Sequence, residues 1–263
     1  MSRRGERGLA LVSVLWGVSI LSLIAAAMLG ASLTRARVEH NAEDSAQASA
    51  LADGAVQLAV LSLLDGRPGR QPRIDGTPGL VRWAGAKIRV AIQAESGLIN
   101  LNVADKDALS RLLQSAGTER AAADDLAERI VARRTAQPGS ASPPFETLDQ
   151  LLQIRGMSEA LFDRIAPALT VYGSGNADPG TAPSAVLRTL PDYDAERVAE
   201  VVKARDEAYE NRGRSVDAGP VAKTGASFAI TAQSVFGGAR TTRKAVVLMT
   251  GDPANPFLVQ EWN

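Results

Sequence analysis

Three places in this 263-residue chain carry residue types that could do chemistry. Asp192, Asp194 and Glu196 alternate along the sequence, and gathered carboxylate oxygens are what a calcium ion takes as ligands. The same residues have a plainer use, because Asp192 or Asp194 can cap the helix whose pattern begins near Ala195, and cap preferences favour that use. Gly156-Met157-Ser158 joins two apolar helical patterns as a helix-hairpin-helix turn, a geometry that brings backbone N–H groups to phosphate. Third, Arg7-Gly8 ends a basic leader directly against an uncharged run, so a flexible glycine sits at the charge boundary.

The rest of the inventory points away from catalysis. There is no cysteine, which removes thiol nucleophiles, disulfides, zinc ribbons and haem attachment. The single histidine, His40, lies just past the uncharged run, so a Ser-His-Asp triad or a multi-histidine metal site is nearly excluded. No phosphate loop or nucleophile elbow is present. Basic and acidic side chains number 29 each, and zero net charge argues against a nucleic-acid partner. A membrane-anchored DNA receptor is the competing reading of the hairpin. Against it, the turn lacks a second glycine, and Glu159, Asp163, Asp192, Asp194 and Glu196 stand where phosphate would approach.

The elements that position these places begin with the amino terminus. The run 9–34 contains no charged side chain and is preceded by Arg3, Arg4 and Arg7. As a helix it reaches roughly 39 Å, enough to cross a hydrocarbon core of about 30 Å. The arginines favour a cytoplasmic amino terminus, with the rest of the chain across the membrane. A cleaved secretory signal, cut among the small residues 27–31, would instead release a soluble secreted protein. Two features weigh against that. The apolar run is about twice the length of a signal core of roughly 7 to 15 residues. Helical patterning also continues through Val38, Ala42, Ala46, Ser49, Ala52, Val56, Ala59 and Leu63, with Glu39, Glu43, Asp44 and Asp53 off that stripe. One helix over 9–65 is therefore expected, ended by Gly66 and Pro68.

Arg7-Gly8 abutting Leu9-Ala10-Leu11-Val12-Ser13 resembles the processing site of type IV pilins and type II secretion pseudopilins. The resemblance implies cleavage by prepilin peptidase between Gly8 and Leu9, with methylation of the new amino terminus. Most pilin-like subunits carry glutamate at the fifth mature position, where this chain has Ser13. In that family the carboxylate meets the amino-terminal charge of a neighbour, and a carboxylate in lipid is costly unless paired. The K-type minor pseudopilin of type II secretion also lacks it, and is placed at the filament tip, where no subunit sits above.

Beyond a Gly/Pro/Arg-rich loop at 66–79, alternation predicts strands at 80–83 and 87–93, the second with Ile88, Val90 and Ile92 on one face. From about 103 to 212 the patterns are helical and contain a repeat. Ala104, Leu109 and Leu112 recur at one constant offset as Ala182, Leu187 and Leu190, and 127–134 recurs at a slightly shorter offset as 199–206. Linkers are expected at 138–144 and 173–183. Strands return at 227–236, 244–250 and 257–262. Too few strands flank the helical block for two sheets, so it is expected as an insertion into one small domain.

The expected fold is thus α+β: a long N-terminal transmembrane helix and a pilin-like helix-plus-antiparallel-sheet core, interrupted by a large helix-hairpin-helix/SAM-like insertion. The parts are a leader at 1–8, a helix at 9–65 with its transmembrane span at 9–34, core at 66–102, insertion at 103–220 and core strands at 221–263. This organisation resembles the K-type pseudopilin along the whole chain. The resemblance implies a non-enzymatic subunit of the bacterial inner membrane, single-pass, with the bulk of the chain periplasmic. Its implied partners are two other minor pseudopilins (I- and J-type), prepilin peptidase and the inner-membrane secretion platform, with secreted substrates or the secretin as further contacts. No cofactor is expected to be required. Calcium, which periplasmic domains of this family often bind, is the ligand to look for, with Asp192, Asp194 and Glu196 as candidates.

Overall fold

A 59-residue helix, α1 (Glu6–Leu64), runs without a break through the N-terminal quarter of the chain. The computed structural model describes residues 6–67, 69–135, 145–173, 176–211 and 222–263, with the side chains of 6–12, 27, 29–36 and 135 left aside. Residues 1–5 of the leader expected at 1–8, the linker expected at 138–144 and the boundary expected at 220–221 fall outside the described residues.

The helix changes character along its length. Over Ser13–Ala26 it is apolar and exposed, with Leu15, Trp16, Leu21 and Leu23 each at least 68% exposed. Over Arg37–Leu64 its length and composition would also suffice to cross a membrane, yet 44% of its most apolar 18 residues are buried within the molecule. There it forms one wall of a core through Ala48, Leu51, Ala52, Ala55, Val56, Ala59, Val60 and Leu63. Small residues let the helix lie close on a pleated surface. The buried stripe differs from the expected one at its lower end. Val38, Ala42 and Ala46 are exposed and Asp44 is buried. The cause is the turn at Gly237-Gly238, which closes over that side of the helix and donates the Gly238 N–H to Asp44 Oδ2 (3.2 Å).

The opposite wall is a five-stranded antiparallel sheet in the order β1 (Gly79–Trp83), β2 (Ala86–Ala94), then β5 (Ser227–Phe236), β6 (Ala239–Met249) and β7 (Phe257–Trp262). Alternation delivers Ile88, Val90, Ile92, Phe228, Ile230, Ala232, Ala245, Val247 and Met249 to the α1 side. The α+β class, antiparallel sheet and long apolar helix are those expected. Strand β6 starts earlier than its hydropathy suggests. Residues 240–243 are polar and precede the strand expected at 244–250, but 239–243 pair fully with β5, from Phe236↔Ala239 to Ala232↔Arg243. Backbone pairing needs no apolar side chains where a sheet face meets water.

Strands β2 and β5 are sheet neighbours although the whole helical block separates them in sequence. That block has a second core, made by β3 (Ile99–Asn100), α2 (Lys106–Ser115), α3 (Arg120–Thr135), α4 (Glu159–Ile165), β4 (Leu169–Thr170), α5 (Ser184–Leu187) and α6 (Ala195–Asn211). β3 and β4 form a short parallel pair that the sequence did not indicate. The repeat maps onto α2–α3 and α5–α6. Ala104, Leu109, Leu112, Ala182 and Leu187 are buried, and Leu190 is half-buried. The two copies meet where Arg111 Nε donates to the Thr189 carbonyl (2.6 Å).

Candidate functional site

Gly8 and Leu9 lie inside the first turns of α1, so the junction between the basic start and the apolar run is helical backbone. Helical structure also continues through 27–34, where a signal-peptidase site would fall.

The three candidate calcium carboxylates are all exposed and are not gathered. Asp194 Oδ1 accepts the Arg197 N–H (2.8 Å) and its carbonyl accepts the Val198 N–H (3.0 Å), the geometry of an N-cap on α6. Asp192 occupies the preceding turn at φ +65°, and Glu196 stands in the first turn of α6, where its charge complements the helix dipole. Among the described residues no group of three His, Asp or Glu side chains is placed to share an ion.

The hairpin turn is present at Gly156, with φ +100°. It is preceded by a 3-10 helix, Leu148–Gln153, and followed by α4, which Ser158 caps by accepting the Leu161 N–H (3.2 Å). The positive φ explains the glycine. Arg129 reaches across to the Arg155 carbonyl beside the turn (2.7 Å), so a side chain already occupies one flank of it.

The seam between sheet and insertion holds the polar groups that sequence reasoning missed. It lies at the end of the sheet remote from the exposed part of α1: the Ala222 N–H reaches the Leu63 carbonyl there, whereas the Gly237-Gly238 turn meets Asp44 at the other end. A cleft of about 460 Å³ opens at this seam, lined by Ile74, Glu95, Tyr172, Asp178, Lys223 and Phe228 among others. Glu95 is 4% exposed. Burial pushes its carboxyl up to about 7, with the Thr170 hydroxyl bond opposing and the Glu261 charge adding to the rise. The Tyr172 hydroxyl bonds Glu261 Oε2 on β7 (3.2 Å), and burial beside these acids raises it to about 12.

Backbone captures close the seam. Gly97 admits the chain crossing at Thr181, where a Cβ would strike backbone, and the Asp178 N–H reaches the Ser96 carbonyl (2.7 Å). Buried Asn100 donates to the carbonyls of Tyr172 (3.1 Å) and Gly173 (2.5 Å) and accepts the Asn102 N–H (2.8 Å). Asn102 exchanges both its side-chain bonds with the backbone of Phe145, each at 3.0 Å. Arg73 bridges Asp75 and Asp206, both at 2.6 Å, and lies over Tyr209. The signal available in sequence was two asparagines inside the apolar run 98–104, a place where polar side chains persist only with work to do. Nothing local marked Glu95.

No family model matches the chain, and no curated protein matches it. Among solved structures, a chain of the GspK-GspI-GspJ complex from the type 2 secretion system of enterotoxigenic Escherichia coli is similar over 87% of this chain and 98% of that one, at 12% sequence identity with a TM-score of 0.49.

Proposed function

We propose that this chain is a minor pseudopilin of a bacterial type II secretion system, of the K type. The observation that carries the reading is α1: one helix, unbroken from Glu6 to Leu64, whose first part exposes large apolar side chains and whose second part is packed into a sheet. A protein built this way keeps its apolar segment as part of the mature chain. In lipid those exposed side chains find the solvent they suit.

In this reading prepilin peptidase cuts between Gly8 and Leu9, the new amino terminus is methylated, and residues 9–34 hold the chain in the inner membrane with the remainder in the periplasm. The sheet and residues 37–64 of α1 form the pilin-like core, and 103–220 form the inserted helical domain. That domain joins the core at the end remote from the membrane, and its bulk suits a filament tip better than a repeated shaft position. Two smaller minor pseudopilins complete the tip complex. Ser13 in place of glutamate agrees with a subunit that has no neighbour above it.

The deciding experiment is the intact mass of the protein expressed with and without prepilin peptidase. A peptidase-dependent start at Leu9 carrying one added methyl group is expected. A start near Ser32 would make the chain a soluble secreted protein and end the filament reading. Deletion of 103–212 is expected to abolish secretion while filaments still initiate, placing substrate or secretin contacts on the insertion.

A further inference from the structure

The face of the sheet turned away from α1 is covered by the insertion over its upper half, where Gln93 Nε2 bonds the Thr181 carbonyl and Tyr172 bonds Glu261. Among the described residues nothing covers its lower half. Register shows what stands there: Arg82 opposes Lys87, Leu80 opposes Arg89, Arg89 opposes Gln233, Thr231 opposes Lys244 and Val235 opposes Arg240. Directly opposed residues share a face. Arg82, Lys87, Arg89, Arg240 and Lys244 therefore stand together with Leu80 and Val235, and all seven are exposed. Leu80 is 72% exposed and Val235 53%.

Among the described residues none of these five cations lies within ion-pair distance of a carboxylate, whereas Arg73, Arg243 and Arg67 are each paired. Strand spacing of about 4.8 Å and a two-residue step of about 6.7 Å confine them to a patch roughly 14 Å square. That approaches the Debye length of about 8 to 10 Å at moderate salt, so the charges act as one field. In a chain of zero net charge such a cluster raises self-repulsion and is relieved by a complementary surface.

We propose that this half-sheet docks an acidic surface of a partner protein, whose carboxylates meet the five cations and whose apolar side chains cover Leu80 and Val235. A polynucleotide fits poorly: extended over the sheet it would run into the insertion, where 95–211 carries 19 acidic against 12 basic side chains. A bilayer fits poorly too. The sheet lies flat on α1, so its bare face looks sideways from the helix axis. A membrane crossed by the start of α1 could not lie across that face. This exclusion of lipid rests on the anchored reading of α1; the charge argument does not.

The test places a photo-crosslinking amino acid at Gln233, the centre of the patch, in the full-length chain in its native membranes, with Gln57 on the exposed side of α1 as control position. A discrete protein adduct is expected at Gln233, joined through a carboxylate-rich segment of the partner. R82E/K87E/R89E should lower its yield by at least about tenfold, and reversing the partner's carboxylates should restore it. The neutral set R82Q/K87Q/R89Q should lower it several-fold with thermal unfolding unchanged. Absence of a protein adduct, an adduct with lipid or nucleic acid, or a protein adduct indifferent to charge reversal would overturn the proposal. An acidic partner that is no pseudopilin would leave the docking face standing while removing the assembly expected under the secretion reading, which the mature mass decides separately.

Discussion

The two cores of this molecule solve the same burial problem with different materials. The helix–sheet core contains long elements that satisfy their own backbone hydrogen bonds, and its buried residues are almost all aliphatic, with Phe228 the one aromatic among those described. The core of the insertion is made of short helices, two very short strands and chain crossings. Such pieces leave backbone donors and acceptors without ladder partners, and side chains take their place: buried Asn100 and half-buried Asn102 capture loop backbone, half-buried Arg134 donates to the Leu101 carbonyl (3.0 Å), and half-buried Arg205 to the carbonyls of Ala182 (2.8 Å) and Pro179. Element length thus sets how much polar chemistry a core must contain.

The largest test of that contrast removes one aromatic anchor from each side. Phe228→Ala and Phe145→Ala each delete a fully buried ring and should cost about 3–5 kcal/mol. If the cores are separate cooperative units, hydrogen exchange in F145A should rise across 95–211 and leave β2 and β5 protected, with the converse for F228A. Uniform acceleration in both variants would mean that the two cores fold as one.

Next in size is the polar half of the comparison. Asn102→Leu preserves side-chain volume but strands the Phe145 N–H and carbonyl in a buried place, and a loss of about 3 kcal/mol is expected in urea unfolding. Ser234→Ala, which removes the hydroxyl bond to the Ala48 carbonyl in the helix–sheet core, should cost only about 1 kcal/mol because a hydroxyl is deleted and one helical carbonyl keeps its main-chain partner. Equal costs would break the argument from element length.

The seam between the cores should titrate. Glu95 binds its proton more tightly folded, at about 7, than unfolded, at the ordinary 4.5. Between those values the folded state holds more protons, so stability falls as pH rises through the window and is flat above it. Glu95→Gln should remove this slope and stabilise the chain at pH 8 by about 2–3 kcal/mol relative to the parent, with little difference at pH 4. The groups facing the carboxyl are Thr170, Tyr172 and Glu261, and all of them stay in the variant. An unchanged slope would place the buried proton elsewhere.

What the sequence made legible follows the same division. Periodicity found α1, β2 and β5 because each is long enough to repeat its pattern, and the recurring spacings of Ala104 with Ala182 and of 127–134 with 199–206 found the two copies in the insertion. It failed where a role is tertiary. Asp44 looked solvated on its own helix and is covered by a turn from the far end of the chain, at Gly237-Gly238. Residues 239–243 fell outside the strand expected at 244–250, since a strand whose outer face is wet advertises nothing in hydropathy. Of the candidate sites, Asp194 could be recognised as a cap from its position alone, while Glu95 could not, because its burial depends on β7 and the chain at 170–172 closing over it.

The smallest expected effect probes the edge of the helix–sheet core. Arg243 Nε meets Asp53 Oδ1 at 2.7 Å, with the two side chains 32% and 41% exposed. Water still reaches both, so the Coulomb gain is screened and offset by the entropy of holding the long Arg243 side chain still. A double-mutant cycle with Arg243→Met and Asp53→Asn should yield a coupling of about 0.5 kcal/mol, fading in high salt. Arg134→Met in the insertion removes only one hydrogen bond, yet it should cost about 1–2 kcal/mol, because the Leu101 carbonyl it serves belongs to a completely buried residue. If the exposed ion pair proved the more valuable of the two, the backbone-capture account of the insertion would fail at its simplest instance.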